Sequence, residues 1–355
     1  MPPTKTIAVD INPATRDVAT GTEVYTREVS TRLPKVAPDL NWEFFASRPK
    51  AGLGVDVVVL PFHRMWSQVR LPLALAGSHP DLLFVPAHSL PFAWTGKALT
   101  VVHDLAFERC PEAYAPAERT HLRLTTRWAV ARCRVLIAVS ESTKQDLVAL
   151  YGVKADRITV VPNGGGEPPA VKPAPASRLQ EMGLEGKFVL QVGRVEPRKN
   201  QLSALAAVET LRGVTLAVAG PVRDPEIAAA LRSSPRCRVL GQVDQPRLEL
   251  LYAHAAAVVV PSLYEGFGLP VLEAMSRGNV VVAARTSSLP EVGGDSVLYV
   301  DDPRDTAAIA AALSKAMAGG EAREALAEKA RARARQFTWD LCARGVAAVV
   351  RELVA

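Results

Sequence analysis

Two short segments gather side chains suited to binding a charged ligand. In Ser262-Leu263-Tyr264-Glu265-Gly266-Phe267-Gly268-Leu269-Pro270-Val271-Leu272-Glu273, two carboxylates flank a glycine-rich turn, with seven residues between them. The apolar run Ala257–Pro261 reads as a strand, and a helix begins near Leu269. That geometry aims backbone N–H groups and the positive end of a helix at one point, a setting for a phosphate. Glu273 then rides the first turns of the helix and Glu265 the loop before it, so the pair can reach different parts of one ligand. Acids also favour helix starts for purely local reasons, but Gly266, Phe267, Gly268 and Leu269 around them favour the binding reading. The second segment is Gln191-Val192-Gly193-Arg194-Val195-Glu196-Pro197-Arg198-Lys199-Asn200. It too follows a strand, and Arg194 and Lys199 flank its turn. Arg supplies a planar fork and Lys a point charge, a combination able to neutralise a diphosphate.

The elements that must position these residues are legible as alternation. Thr6–Asp10, Asp56–Leu60, Leu82–Pro86, Ala98–His103, Val135–Ser140 and Ile158–Val161 are short runs rich in Val, Ile and Leu. Their lack of two-residue alternation is expected of parallel strands covered on both faces. Helical segments such as Val24–Arg32 and Ala117–Arg132 separate them, which predicts a doubly wound parallel sheet. The pattern breaks at Asn163-Gly164-Gly165-Gly166-Glu167-Pro168-Pro169, followed by Pro173 and Pro175, a density of Gly and Pro that marks a linker. It restarts with Phe188–Val192, Val214–Ala219, Ala257–Pro261, Asn279–Ala283 and Ser296–Val300. The expectation is an N-terminal domain over 1–165, a linker over 166–180 and a C-terminal domain over 181–335. A last helix over 336–355 is expected to pack back on the N-terminal domain. Two such sheets predict a cleft between them, with ligands beyond the carboxyl ends of the strands.

Length and composition narrow the function classes. At 355 residues the chain suits two cores, and 48% hydrophobic with 22% charged residues is the balance of an ordinary globular protein. A net charge of +6 spread over that length lacks the concentrated basic stripe of a nucleic-acid binder. Cys110, Cys133, Cys237 and Cys342 form no C-x-x-C pair and no metal spacing, so reduced thiols are expected. No run approaches the about 20 apolar residues that cross a bilayer. A cytoplasmic location is expected, with contact at the inner membrane face left open.

The two segments together resemble the retaining glycosyltransferases of family 4, which have the GT-B fold of two Rossmann-like domains. The family's Glu, seven residues, Glu motif is met by Glu265 and Glu273. Its phosphate motif is met by Gly193-Arg194 and Lys199-Asn200. Further matches are Val139-Ser140-Glu141-Ser142, Val160-Val161-Pro162-Asn163-Gly164, Ala219-Gly220-Pro221 and Gly241-Gln242-Val243. The resemblance runs from Ile7 to about Leu353. It implies that Arg194 and Lys199 hold the donor's pyrophosphate, that Glu265 binds hydroxyls of the transferred sugar, and that Glu273 binds the ribose. It implies that backbone groups of Gly266, Phe267, Gly268 and Leu269 touch sugar and phosphates, and that His103 is the acceptor-side histidine. The loop Thr20-Gly21-Thr22-Glu23 carries one glycine where the family often has two or more, so Gly21 is a departure from the pattern. The sequence contains no Asp-x-Asp, and a metal-independent enzyme without cofactor is expected. The donor implied is a nucleoside-diphosphate sugar, GDP-mannose before UDP-hexoses. The acceptor implied is a saccharide or lipid-linked glycan, with a small sugar or sugar phosphate as runner-up. An epimerase of the same fold and a non-catalytic sugar-nucleotide-binding module are the other readings.

Three features remain outside the motifs. His88 follows a strand and could line the acceptor side. Arg119, Arg123 and Arg127 recur every four residues on one helix face, either solvated or meeting membrane phosphates. Trp66, Val69, Leu73 and Ala76 stand at helical spacing, and a buried stripe is the expectation over a membrane patch.

Overall fold

The structure is a computed structural model that describes residues 4–16, 20–61, 66–87 and 90–355. The chain forms two compact units. The first takes in the chain through Phe107, Ala115–Gly164 and Thr338–Ala355, and the second Glu108–Tyr114 and Gly165–Phe337.

The first unit is built on β1 (Thr6–Asp10), β2 (Asn41–Ala46), β3 (Val57–Val59), β4 (Leu82–Val85), β5 (Ala98–Val102), β6 (Leu136–Ala138) and β7 (Ile158–Val160). They pair in the order 3-2-1-4-5-6-7, every pairing parallel. The second unit is built on β8 (Lys187–Val192), β9 (Val214–Ala219), β10 (Cys237–Gly241), β11 (Ala257–Val260), β12 (Val281–Ala284) and β13 (Leu298–Val300). Their order is 10-9-8-11-12-13, again all parallel. Both units are therefore Rossmann-like. In the second the strand order reverses between β8 and β11, the switch point beyond which such sheets bind ligands.

The central strands have no solvent-facing side. Ile7, Ala8 and Val9 of β1 and Val189 and Leu190 of β8 are fully buried, because helices cover both faces. In the second unit Val189, Leu216, Val218, Val259 and Val282 form one cluster with Ala204, Val208, Ile309 and Leu313. The last four come from the helices Gln201–Glu209 and Thr306–Met317.

Three strands depart from the sequence pattern, and the first is β3, an edge strand whose Val58 and Val59 are exposed rather than covered on both faces. β2 opens on Asn41, which is exposed, and only its second half is buried. β10 is an edge strand with Cys237 alone buried. The expected stripe at Trp66 is also corrected. A π-helix over Trp66–Arg70 precedes the α-helix Leu71–Ser78. Its i→i+5 bonding adds a residue to the turn, so the buried side runs through Trp66, Leu71 and Leu75. Trp66 is buried, whereas Val69, Leu73 and Ala76 are exposed.

The glycines near the change of unit have a steric reason. A Cβ on Gly164 would lie 2.3 Å from the backbone N of Trp339, and one on Gly166 would lie 1.8 Å from the carbonyl O of Ala334. The final helix, Trp339–Val354, starts where Thr338 accepts from the N–H of Leu341 at 3.2 Å. It packs on the helices Gly21–Ser30 and Leu33–Val36 of the first unit. All four cysteines are buried, and none forms a disulfide. No helix among the described residues is long and apolar enough to cross a membrane.

Candidate active site

The two chemistry-bearing segments leave neighbouring strands at the switch point of the second unit. β8 ends at Val192 and runs into Gly193-Arg194. β11 ends at Val260 and runs into Ser262–Gly268. Gly193 has φ of 140° and gives its N–H to Ala219 O at 2.9 Å. A Cβ on Gly220 would lie 2.0 Å from the Gly193 carbonyl O, so these two backbones touch only as glycines. The turn then tightens into a 3₁₀ segment, Pro197–Lys199. Asn200 follows at φ of 54° and donates Nδ2 to Pro261 O at 3.0 Å and Pro303 O at 2.6 Å. Gln191 Nε2 holds Lys199 O at 2.7 Å, and Gln201 Nε2 holds Arg194 O at 2.7 Å. Leu263 N–H donates to Arg198 O at 2.9 Å. The two loops are thus one hydrogen-bonded piece.

Glu265 is the centre of that piece. Its Oε1 accepts from Lys199 Nζ at 2.5 Å and from Ser262 Oγ at 2.7 Å, and its Oε2 accepts from Arg198 Nη1 at 3.0 Å. Ser287 Oγ accepts the Glu265 N–H at 2.8 Å, and Ser288 Oγ donates to the Glu265 carbonyl at 2.9 Å. Arg198 also reaches Glu196 Oε1 at 2.7 Å and Tyr264 O at 2.9 Å. Glu265 and Lys199 are both buried. Burial pushes the Glu265 carboxyl up, but Lys199 first and Arg198 next outweigh it, holding the group down at about 2. Burial draws Lys199 below its ordinary value, against the opposing pull of Glu265. Glu265 is ionised throughout the neutral range, which suits a hydroxyl acceptor and excludes a proton donor.

Glu273 stands apart from this cluster. It lies in the second turn of the helix Leu269–Ser276, whose N-cap is Gly268 at φ of 105°. A Cβ there would meet Leu289 Cδ2 at 2.7 Å. Glu273 is half-buried, and its Oε2 accepts from Tyr252 Oη at 3.0 Å. Burial pushes its pKa up against the nearby charge of Arg277. Gly266 and Phe267, between the two glutamates, are buried, with Phe267 edge-on to Phe337 at 5.9 Å. Arg194 lies half-buried in the first loop. Arg198, beside Lys199, was not singled out from the sequence. Adjacency alone does not reveal which basic side chain turns toward Glu265. Ser262 and Tyr252 likewise carry no local signal of their roles.

In the first unit the expected residues gather at the ends of β1, β4 and β5. His103 Nε2 contacts Pro86 O at 2.7 Å. A carbonyl only accepts, so this nitrogen carries the proton. Burial lowers the His103 pKa, and Tyr25 meets the ring edge-on at 4.8 Å. Gly21 opens the helix Gly21–Ser30 after the N-cap Thr20, whose N–H donates to Glu23 Oε2 at 2.9 Å. Arg16 Nη1 reaches Glu23 Oε1 at 2.8 Å. Asp10, the last residue of β1, is buried, and burial lifts its pKa to about 7. His88 lies outside the described residues. On the helix Pro116–Arg132, Arg127 is exposed, but Arg119 gives Nε to Phe107 O at 2.9 Å, so the arginines are not a uniformly solvated row. No group of three or more His, Cys, Asp or Glu able to hold a metal occurs among the described residues.

This arrangement has known counterparts. Residues 180–333 match the family of glycosyl transferases group 1, and residues 19–164 match glycosyltransferase family 4. The chain is similar to O-antigen chain mannosyltransferase B of Escherichia coli, 33% identical over 266 residues, 69% of this chain and 68% of that protein. It is also similar to the serotype-specific mannosyltransferase WbdA of Escherichia coli, 26% identical over 77% of this chain and 37% of that longer protein. The crystal structure of Anabaena HepE in complex with UDP-glucose superposes with a TM-score of 0.78 at 18% identity, covering 98% of this chain and 99% of that one. That likeness shows the fold, the two Rossmann-like units of the GT-B architecture. Family matches that divide between the same two units, and a relative one-third identical along most of its length, make the chain a glycosyltransferase of the family 4 type.

Proposed function

We propose that the chain transfers a hexose, mannose first, from a nucleoside-diphosphate sugar to a saccharide or lipid-linked glycan, with retention and without a metal. The observation that carries the donor reading is the cluster at the β8/β11 switch point. One ionised glutamate there is fixed between two cations and a hydroxyl, beside the start of the helix Leu269–Ser276. Breaking the glycosyl–phosphate bond leaves negative charge on the diphosphate, while the acceptor oxygen bonds to the anomeric carbon and passes its proton to the departing diphosphate. Fixed cations and N–H dipoles stabilise that departing charge at no reorganisation cost. In this reading Lys199 and Arg194, with Arg198 beside them, face the pyrophosphate. Glu265 takes sugar hydroxyls, and Glu273 takes the ribose. Gly193, Gly266, Phe267, Gly268 and Leu269 supply backbone contacts. His103 and Gly21 belong to the acceptor side, within the first unit. Mannose is favoured because both curated relatives described above are named mannosyltransferases.

The test is donor consumption by the purified protein with GDP-mannose, UDP-glucose and UDP-galactose, in chelator, with NMR of the product's anomeric centre. GDP-mannose turnover with retained configuration is expected. An inverted product, or activity restored only by added divalent metal, overturns the corresponding part of the proposal.

A lipid-linked acceptor is favoured over a small sugar by one surface of the first unit. Leu124 and Phe92 are 53% and 47% exposed, Phe92 meets Trp128 at 5.6 Å, and the Arg132 guanidinium lies 5.7 Å from the Trp128 ring centre. Apolar bodies mixed with arginine suit an anionic bilayer surface. Co-sedimentation with phosphatidylglycerol vesicles should fall on Phe92→Glu/Leu124→Glu. Undiminished binding contradicts this assignment.

A further inference from the structure

The helix Gln245–His254 places Glu249 and Tyr252 three residues apart, on one face. The Arg277 guanidinium lies 4.6 Å from the Tyr252 ring centre and gives Nε and Nη2 to the two oxygens of Glu249, at 2.8 Å and 2.5 Å. Its Nη1 reaches the backbone carbonyl of Glu273 at 2.8 Å. Gln245 Nε2 completes Glu249 at 2.7 Å, and Asn279 Nδ2 holds the Tyr252 carbonyl at 2.8 Å. The charge of Arg277 is therefore committed to Glu249. What the Glu273 carboxylate receives is the hydroxyl of Tyr252, whose residue is 1% exposed and locked under the guanidinium. That bond occupies Oε2. Oε1 takes no hydrogen bond from a described residue.

We infer that Tyr252 is the positioning residue for Glu273, fixing one carboxylate oxygen so that the other faces the vicinal hydroxyls of the donor's ribose. The inference rests on the ribose reading of Glu273 proposed above. A carboxylate pinned at one oxygen presents the other in a single orientation, and a pre-oriented acceptor loses less entropy when a diol binds. The hydroxyl also opposes the burial that raises the Glu273 pKa. The charged and titratable groups facing Glu273 are Tyr252 and Glu249 on one helix, Arg277 after the next, and Lys199 from the 3₁₀ turn.

The test compares affinities for GDP and 2′-deoxy-GDP, with UDP and 2′-deoxy-UDP in parallel, in wild type, Tyr252→Phe, Glu273→Gln and the double variant. Tyr252→Phe removes one oxygen and keeps the ring beneath Arg277. The ribo-over-deoxy preference should fall about 3- to 10-fold, the worth of one hydrogen bond. The acid limb of nucleotide affinity should move to higher pH, because losing the hydroxyl raises the Glu273 pKa further. In the Glu273→Gln background, Tyr252→Phe should change the preference no further. If Glu273→Gln itself leaves the preference intact, the ribose reading fails. If Glu273→Gln lowers it while Tyr252→Phe does not alter it, or alters it equally in both backgrounds, the positioning role fails and the ribose reading stands.

Discussion

Glu265 holds its charge in a buried place because two cations and a serine hydroxyl surround it, and this arrangement makes a stability prediction. Removing one partner of a buried ion pair leaves the other uncompensated, at a cost of about 3 kcal/mol or more. Glu265→Gln should therefore melt well below wild type at pH 7. The folded pKa of about 2 lies below the ordinary glutamate value. The ion-pair contribution is thus fully present above the unfolded value and is lost as pH falls toward 2. The melting gap between wild type and Glu265→Gln should narrow progressively as the pH falls from about 5 toward 2, and a gap independent of pH would deny the pair its role. Asp10 shows the opposite sign. Its folded pKa is lifted to about 7 by burial, against the N–H of Asn12 at 3.0 Å and the charge of Arg16. Ionising it costs stability as pH rises through that range. Asp10→Asn should raise the melting temperature at pH 8 and change it little at pH 4. Equal effects at both values would mean that Asp10 is charged in the fold at pH 4 as well.

At the scale of elements, the Gly193–Asn200 turn depends on a contact between two backbones. Gly220→Ala would drive a Cβ into the Gly193 carbonyl from a φ of 152°. The variant should lose about 1–3 kcal/mol of stability, as strained and overpacked positions do, and should bind nucleoside diphosphates more weakly. Full retention of both would show that the turn can shift without cost. Legibility from sequence divides along the same line. β1, β8, β9 and β11 declare themselves as short, mainly apolar runs because most of their residues are buried on both sides. β2 and β10 do not, since one starts on an exposed Asn41 and the other runs along an edge where only Cys237 is covered. The site's backbone, with its glycines and following helix, was legible from Gly193 and Gly268. Its long-range side-chain partners were not, because Arg198 and Tyr252 reach the glutamates through tertiary placement that no spacing encodes. The π-helix at Trp66 failed for a related reason, since a register shift of one residue leaves no mark on a periodic apolar pattern.

At the scale of the molecule, the two units should answer a nucleotide differently. Hydrogen exchange with a nucleoside diphosphate bound should slow at residues 193–200 and 266–272 in the second unit, while β1 to β7 stay unchanged. Protection confined to the first unit would place the donor on the wrong sheet. The most direct measurement on the central claim is the turnover of Glu265→Gln beside its nucleoside-diphosphate affinity, both in chelator and below the variant's melting temperature. Removing a fixed charge that acts on the reacting sugar should lower kcat by about 100-fold or more, while the diphosphate still binds through the cations and the helix start. Turnover equal to wild type, or a loss that lies wholly in nucleotide affinity, would contradict the assignment of Glu265 to the transferred sugar.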